Sequence, residues 1–189
     1  AREKAAKAAP VEDVPIQKQY RYQQNAVHLE MAAGGEYGVV AYPRLPGGEM
    51  PKIEAGPENS VTIAGGNGKD LILVYPGVRA VEVGDVAFEG RCATVSRSGK
   101  GSELHLLEGR RLGLKNGPGV AGVGPVSLVA GLSGKADVWT DGPEAREITL
   151  TLPAGNKGQV KGDGAAGGRA EKGTVTVTVG AGPRHFTVE

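Results

Sequence analysis

VTIAGGNGKDLILVY, residues 61–75, sets two apolar runs on either side of an Asn67-Gly68 pair. Asn-Gly tolerates the positive φ angles of a two-residue hairpin turn, whose twist matches that of the flanking strands. VTIA alternates with period two, as a half-buried strand does. LILVY is apolar throughout and reads as a central buried strand. The stretch therefore predicts an antiparallel hairpin.

Toward the C-terminus the same signals recur. Pro76-Gly77 reads as the end of the LILVY strand, because proline donates no ladder hydrogen bond. RAVEV and DVAFEG alternate on either side of Gly84-Asp85, and CATVS and ELHLLEG flank the basic turn SRSGKGS. GRRLGLKNG runs into a second Asn-Gly pair at Asn116-Gly117. PGVAGVGPVSLVAGLSG is apolar but broken by glycine, and is expected to hold one or two strands or an ordered loop. ADVWT (136–140) stops at Asp141-Gly142. EITLTLP (147–153) and GTVTVTVG (173–180) alternate strictly, with Val175, Val177 and Val179 on one face and Thr174, Thr176 and Thr178 on the other. GNKGQVKGDGAAGGRAEKG between them reads as a polar loop, and RHFTVE closes the sequence.

Toward the N-terminus, Val27–Met31, Tyr37–Tyr42 and Ser60–Ala64 are strand candidates. PRLPGGEMPKIEAGPEN (43–59) reads as a loop punctuated by proline and glycine. Before them lies AREKAAKAA, a helix-prone run too short to be stable alone. Pro10 and Pro15 bias the backbone around them toward extended conformations. Residues 1–25 are thus expected to be an arm, with Val11, Val14, Ile16, Tyr20 and Tyr22 as its interface anchors. Residues 26–189 form a glycine-rich β-body, with a possible subdivision near 142. Helices of ten to fifteen residues do not alternate with the strands, which excludes Rossmann-like folds. The expected fold is all-β: an antiparallel sandwich or jelly-roll-like barrel with an extended N-terminal arm.

Composition agrees. The 189 residues include 32 glycines and 12 prolines, where average usage gives roughly 13 and 9. Aromatic residues are scarce, so the core must come from Val, Leu, Ile and Ala. Net charge is +1, which gives no general argument for nucleic acid. The basic run from Arg91 to Lys115 lacks interleaved aromatics, so a nucleic-acid partner is not expected. Cys92 is the only cysteine, which excludes an internal disulfide. No apolar run is long enough for a spanning helix, and no signal-peptide pattern is present.

Catalytic signatures fail one by one. GGNGKD and RSGKGS lack the spacing of a phosphate loop and a following helix. GxSxG is absent. Cys92 sits in an alternating strand and is read as packed and inert. His28, His105 and His185 match no metal-ligand spacing. DGPE (141–144) and KGDG (161–164) supply carboxylates but no calcium loop. Glu82, Asp85 and Glu89 flank a turn, with no spacing that marks an acid–base pair. The low aromatic content argues against carbohydrate binding, and Trp139 and Tyr75 are the only residues suited to a sugar platform. No cofactor, metal site or catalytic residue is expected.

The function expected is therefore non-enzymatic: a structural or assembly subunit of a particle or appendage, such as a capsid, shell or decoration protein. Its partners would be copies of itself or another structural protein, in a virion or other extracellular assembly. The alternative is a monomeric ligand- or surface-binding β-module. An enzyme with an unrecognised site is the third reading.

Overall fold

Asn-Gly and Gly-Asp turns with alternating flanks can only propagate antiparallel pairing, and every strand pair among the described residues is antiparallel. The computed structural model describes residues 7–10, 25–28, 50–66, 68–162, 165–171 and 173–189. The strands are β1 (Lys7–Pro10), β2 (Asn25–His28), β3 (Lys52–Ala55), β4 (Val61–Gly65) and β5 (Gly68–Val83). Next come β6 (Val86–Ser98), β7 (Gly101–Leu114), β8 (Gly119–Ala121), β9 (Val126–Gly131) and β10 (Ala136–Thr140). The last five are β11 (Arg146–Thr151), β12 (Val160–Gly162), β13 (Ala165–Glu171), β14 (Thr174–Val179) and β15 (Arg184–Val188).

Two units can be distinguished, residues 1–40 and 41–189. In the first, β1 and β2 form a two-stranded ladder, with Lys7 opposite His28 and Pro10 opposite Asn25. Lys7–Pro10 is therefore extended, against the helix-prone reading of residues 1–9. A helix that short lacks the length to offset nucleation, and strand pairing wins.

The second unit is sandwich-like, and its two layers share strands. β7 pairs with β9 through Gly101–Leu106 and with β8 through Arg111–Gly113. One layer thus runs β12-β15-β10-β9-β7-β6-β5-β4-β3, and the other adds β8, β11, β14 and β13 beyond the far halves of β5, β6 and β7. The register of all three long strands breaks along one line. β5 skips from Val74 to Arg79, and the β6–β7 ladder shifts around Gly90, Cys92 and Gly109.

An ion pair reveals how sharply the strands fold there. Asp85 and Arg97 lie at opposite ends of β6, which a straight strand would hold about 40 Å apart. Their side chains are 2.6 Å apart. β6 therefore doubles back, placing its ends on facing layers. At the crease Gly90 pairs with Gly109. A Cβ on Gly90 would lie 2.3 Å from the Glu108 carbonyl oxygen and 2.6 Å from the Gly109 Cα. Only two glycines allow the backbones this approach.

The fold-over encloses one hydrophobic core. One layer contributes Val95, Leu104, Leu128, Val138 and Phe186, which lie opposite one another in register across β6, β7, β9, β10 and β15. The other contributes Phe88, Leu112, Val120, Leu150 and Val175 in the same way. All ten are buried. Val177 and Val179 are also buried, while Thr149 and Thr176 face out and hydrogen-bond across the ladder at 3.1 Å.

Three segments differ from expectation. Pro76-Gly77 does not end β5; it falls within the Val74–Arg79 register break, where no ladder bond is asked of proline. Lys52–Ala55 forms β3 inside the expected 43–59 loop, because the β4 edge supplies its partners. The glycine-rich 155–173 stretch holds β12 and β13, edge strands templated by β15 and β14.

Candidate functional site

The expected interface residues Val11, Val14, Ile16, Tyr20 and Tyr22 lie outside the described residues, as does Tyr37–Tyr42. Three features of the second unit are candidates: an outer sheet face, a groove and an open edge.

The outer face is built by register. β7, β9, β10 and β15 bring His105, Ser127, Trp139 and His185 opposite one another in a single row. Their alternation places them outside, because Leu104, Leu128, Val138 and Phe186 point inward. Trp139, the only tryptophan, stacks on His185 with ring centroids 4.7 Å apart and planes within 17°. His105 Nδ1 and Ser127 Oγ are 2.9 Å apart. Each histidine has a carboxylate one step along its sheet face: His105 Nε2 is 3.7 Å from Glu103, and His185 Nε2 is 3.7 Å from Asp137.

Ser127, His105 and Glu103 are thus brought together in the order of a hydrolytic triad. On a central region of sheet the backbone N–H groups are committed to neighbouring strands, so an oxyanion there would have to be met by side-chain donors. The arrangement is that of cross-strand polar pairing.

The groove lies on the outside of the other layer and measures about 660 Å³. Ala87, Gly113 and Gly119 form a floor of small residues, with Arg111, Lys115 and Thr151 among its walls. Asp85, at its end, is held by Arg97. Glu82, Asp85 and Glu89 flank the turn between β5 and β6: Glu82 pairs opposite Ala87, and Glu89 opposite Ala80 and Arg111.

The basic run is dispersed in the same way. Arg91 pairs with Glu108 at 3.0 Å and Arg97 with Asp85, while Arg111 stands opposite Glu89 on the second layer. Cys92 is partly buried at the crease, and its thiol is pushed up by burial, then by Glu108, with Arg91 pulling the other way. Tyr75 is no sugar platform. Its ring is buried against Phe88 and its hydroxyl donates to the Glu58 carbonyl at 2.6 Å.

The open edge is β3. It is the last strand of its layer, and all four of its residues are exposed. Among the described residues no strand pairs with its outer side. Met50 and Ile53 stand there 70% and 45% exposed.

Among the described residues no three His, Cys, Asp or Glu side chains are grouped as metal ligands, and no helix is long and apolar enough to cross a membrane. No protein-family model matches the chain, and no curated protein is significantly similar to it in sequence.

Proposed function

We propose that this chain is a non-enzymatic structural module, a subunit that joins a multisubunit assembly through the edge of its β-sandwich. The observation that carries the reading is β3. A row of backbone donors and acceptors that is unpaired among the described residues, beside exposed apolar side chains, is a template for another strand. Its four-residue length and the Lys52–Glu54 ion pair at 2.8 Å limit indiscriminate pairing, so a complementary segment is favoured over any passing strand. On a neighbouring copy the part of the 1–25 arm outside the β1–β2 ladder has suitable chemistry: Pro15 biases the backbone toward extended conformations, and Val11, Val14, Ile16, Tyr20 and Tyr22 are spaced along it.

We also propose that the sandwich closes toward a flattened, jelly-roll-like barrel. β12 ends one layer and β13 the other, and only two residues of sequence separate them.

Deleting residues 1–25 tests the assembly reading. Light scattering should report a smaller particle or oligomer mass, while far-UV circular dichroism stays that of a β-protein. Unchanged mass after truncation would refute arm-mediated assembly.

A further inference from the structure

Trp139 stands on a central strand, where a tryptophan gains most by burial, yet 43% of it is exposed. It is not there to fill the core, since Val138 and Thr140 take the inward positions. The stack on His185 covers one face of the indole. Among the described residues no other ring packs on the opposite face, and no acceptor meets the indole N–H. That face looks across the ladder at Ser127, a small residue, and then at His105 one strand further. Two strand spacings put β7 about 9.6 Å from β10. The space beside the indole over Ser127 is bordered on its far side by the His105 imidazole, whose Nδ1 lies 2.9 Å from Ser127 Oγ.

We infer that this row is a binding subsite for a neutral oligosaccharide. A pyranose offers an apolar C–H face to an indole and a rim of hydroxyls to its surroundings. The indole face supplies the first contact. Asp137, Ser127 and the indole N–H supply acceptors and donors around the rim. The charge pattern selects neutral sugars. The two nearby lysines are already matched, Lys135 to Asp137 at 3.7 Å and Lys161 to Glu189 at 2.5 Å. Among the described residues no unpaired lysine or arginine on this row remains for a carboxylate, sulfate or phosphate, and Glu103 carries a like charge. The subsite is separate from the assembly edge: β10 and β3 lie at well-separated positions in the same layer, with β9, β7, β6, β5 and β4 between them.

The experiment is a calorimetric titration of the full chain with neutral hexasaccharides of glucose, mannose, xylose and galactose, alongside a hexamer of galacturonic acid and a nucleoside triphosphate. Trp139 fluorescence provides a second readout, since no other tryptophan contributes. At least one neutral hexasaccharide should bind saturably and shift the emission, and the acidic hexamer should bind about tenfold more weakly or not at all. Trp139→Ala should weaken binding about tenfold or more, Asp137→Asn severalfold, and Trp139→Phe should retain most of it. Circular dichroism checks that each variant is folded. No saturable binding to any neutral sugar, equal binding of the acidic hexamer, preference for the nucleotide, or unaltered binding by a folded Trp139→Ala variant each overturns the inference. The mass measured after deletion of residues 1–25 is unaffected by any of these results.

Discussion

Replacing Gly90 with alanine adds one methyl group at the line where β6 doubles back. It would lie 2.3 Å from the Glu108 carbonyl oxygen, 2.6 Å from the Gly109 Cα and 2.9 Å from the Phe88 ring. The first two are backbone atoms of the partner strand, so no rotamer change relieves them. β6 and β7 must part by roughly 1 Å to reach ordinary contact distance, which disrupts local ladder bonds and disturbs the core beneath. Overpacking costs about 1–3 kcal/mol, and each lost ladder bond adds about 1 kcal/mol. The smaller unfolded-state entropy of alanine returns about 0.4–1 kcal/mol. With about two ladder bonds lost, Gly90→Ala should therefore destabilise the fold by about 2–5 kcal/mol, a large share of the roughly 5–15 kcal/mol a domain commands. Gly77→Ala is the control, because a Cβ there meets nothing within 4 Å. Its effect should lie between zero and a gain of about 1 kcal/mol, the entropy term alone. Urea denaturation followed by circular dichroism measures both. A Gly90→Ala loss under about 1 kcal/mol, or one equal to that of Gly77→Ala, would refute the crease argument.

Three further outcomes are expected. Tyr75 has its hydroxyl pushed up by burial, then by Glu58, with Arg79 offsetting part. Because its folded pKa is raised, it supports stability fully below the unfolded value of about 10 and loses that support as pH climbs past it. Tyr75→Phe should cost about 1 kcal/mol at neutral pH through the lost bond to Glu58 and should flatten the alkaline decline in melting temperature. Cys92→Ala should change stability by under about 1.5 kcal/mol, and the raised thiol should react with a disulfide reagent at pH 7 more slowly than free cysteine. Asn156 donates to the carbonyls of Gly134 at 2.6 Å and Val188 at 2.9 Å, and accepts from the Gly158 N–H at 2.8 Å. Asn156→Ala should lower stability by about 2–3 kcal/mol in the same denaturation assay.

Local signals carried the fold class. The turn pairs at Gly84-Asp85 and Asn116-Gly117 and the alternation of TVTVTV each specify antiparallel strands without help from distant residues. Strand ends were less legible. DVAFEG and CATVS read as two strands because Gly90 interrupts the pattern, yet they are halves of β6. The interruption is the crease, and its cause is Gly109, far along the chain on β7. Lys52–Ala55 and Ala165–Glu171 carry weak intrinsic β preference and take their form from the strand beside them. The Trp139 row was harder still. Trp139 and His185 could be named singly, but their meeting depends on the pairing of β10 with β15, which no local pattern encodes.

Because β5, β6 and β7 each pass through both layers, neither layer can open alone. Peeling one away pulls on strands whose other halves are anchored in its partner, so the layers share one fate. Amide hydrogens on the two sides of the crease, those of Ala93 and Phe88 for instance, should exchange with solvent through the same rare event and with closely similar protection. A two-layered protein whose sheets are joined only by loops has no such tether and can lose one sheet first. Here the seam makes opening all-or-none.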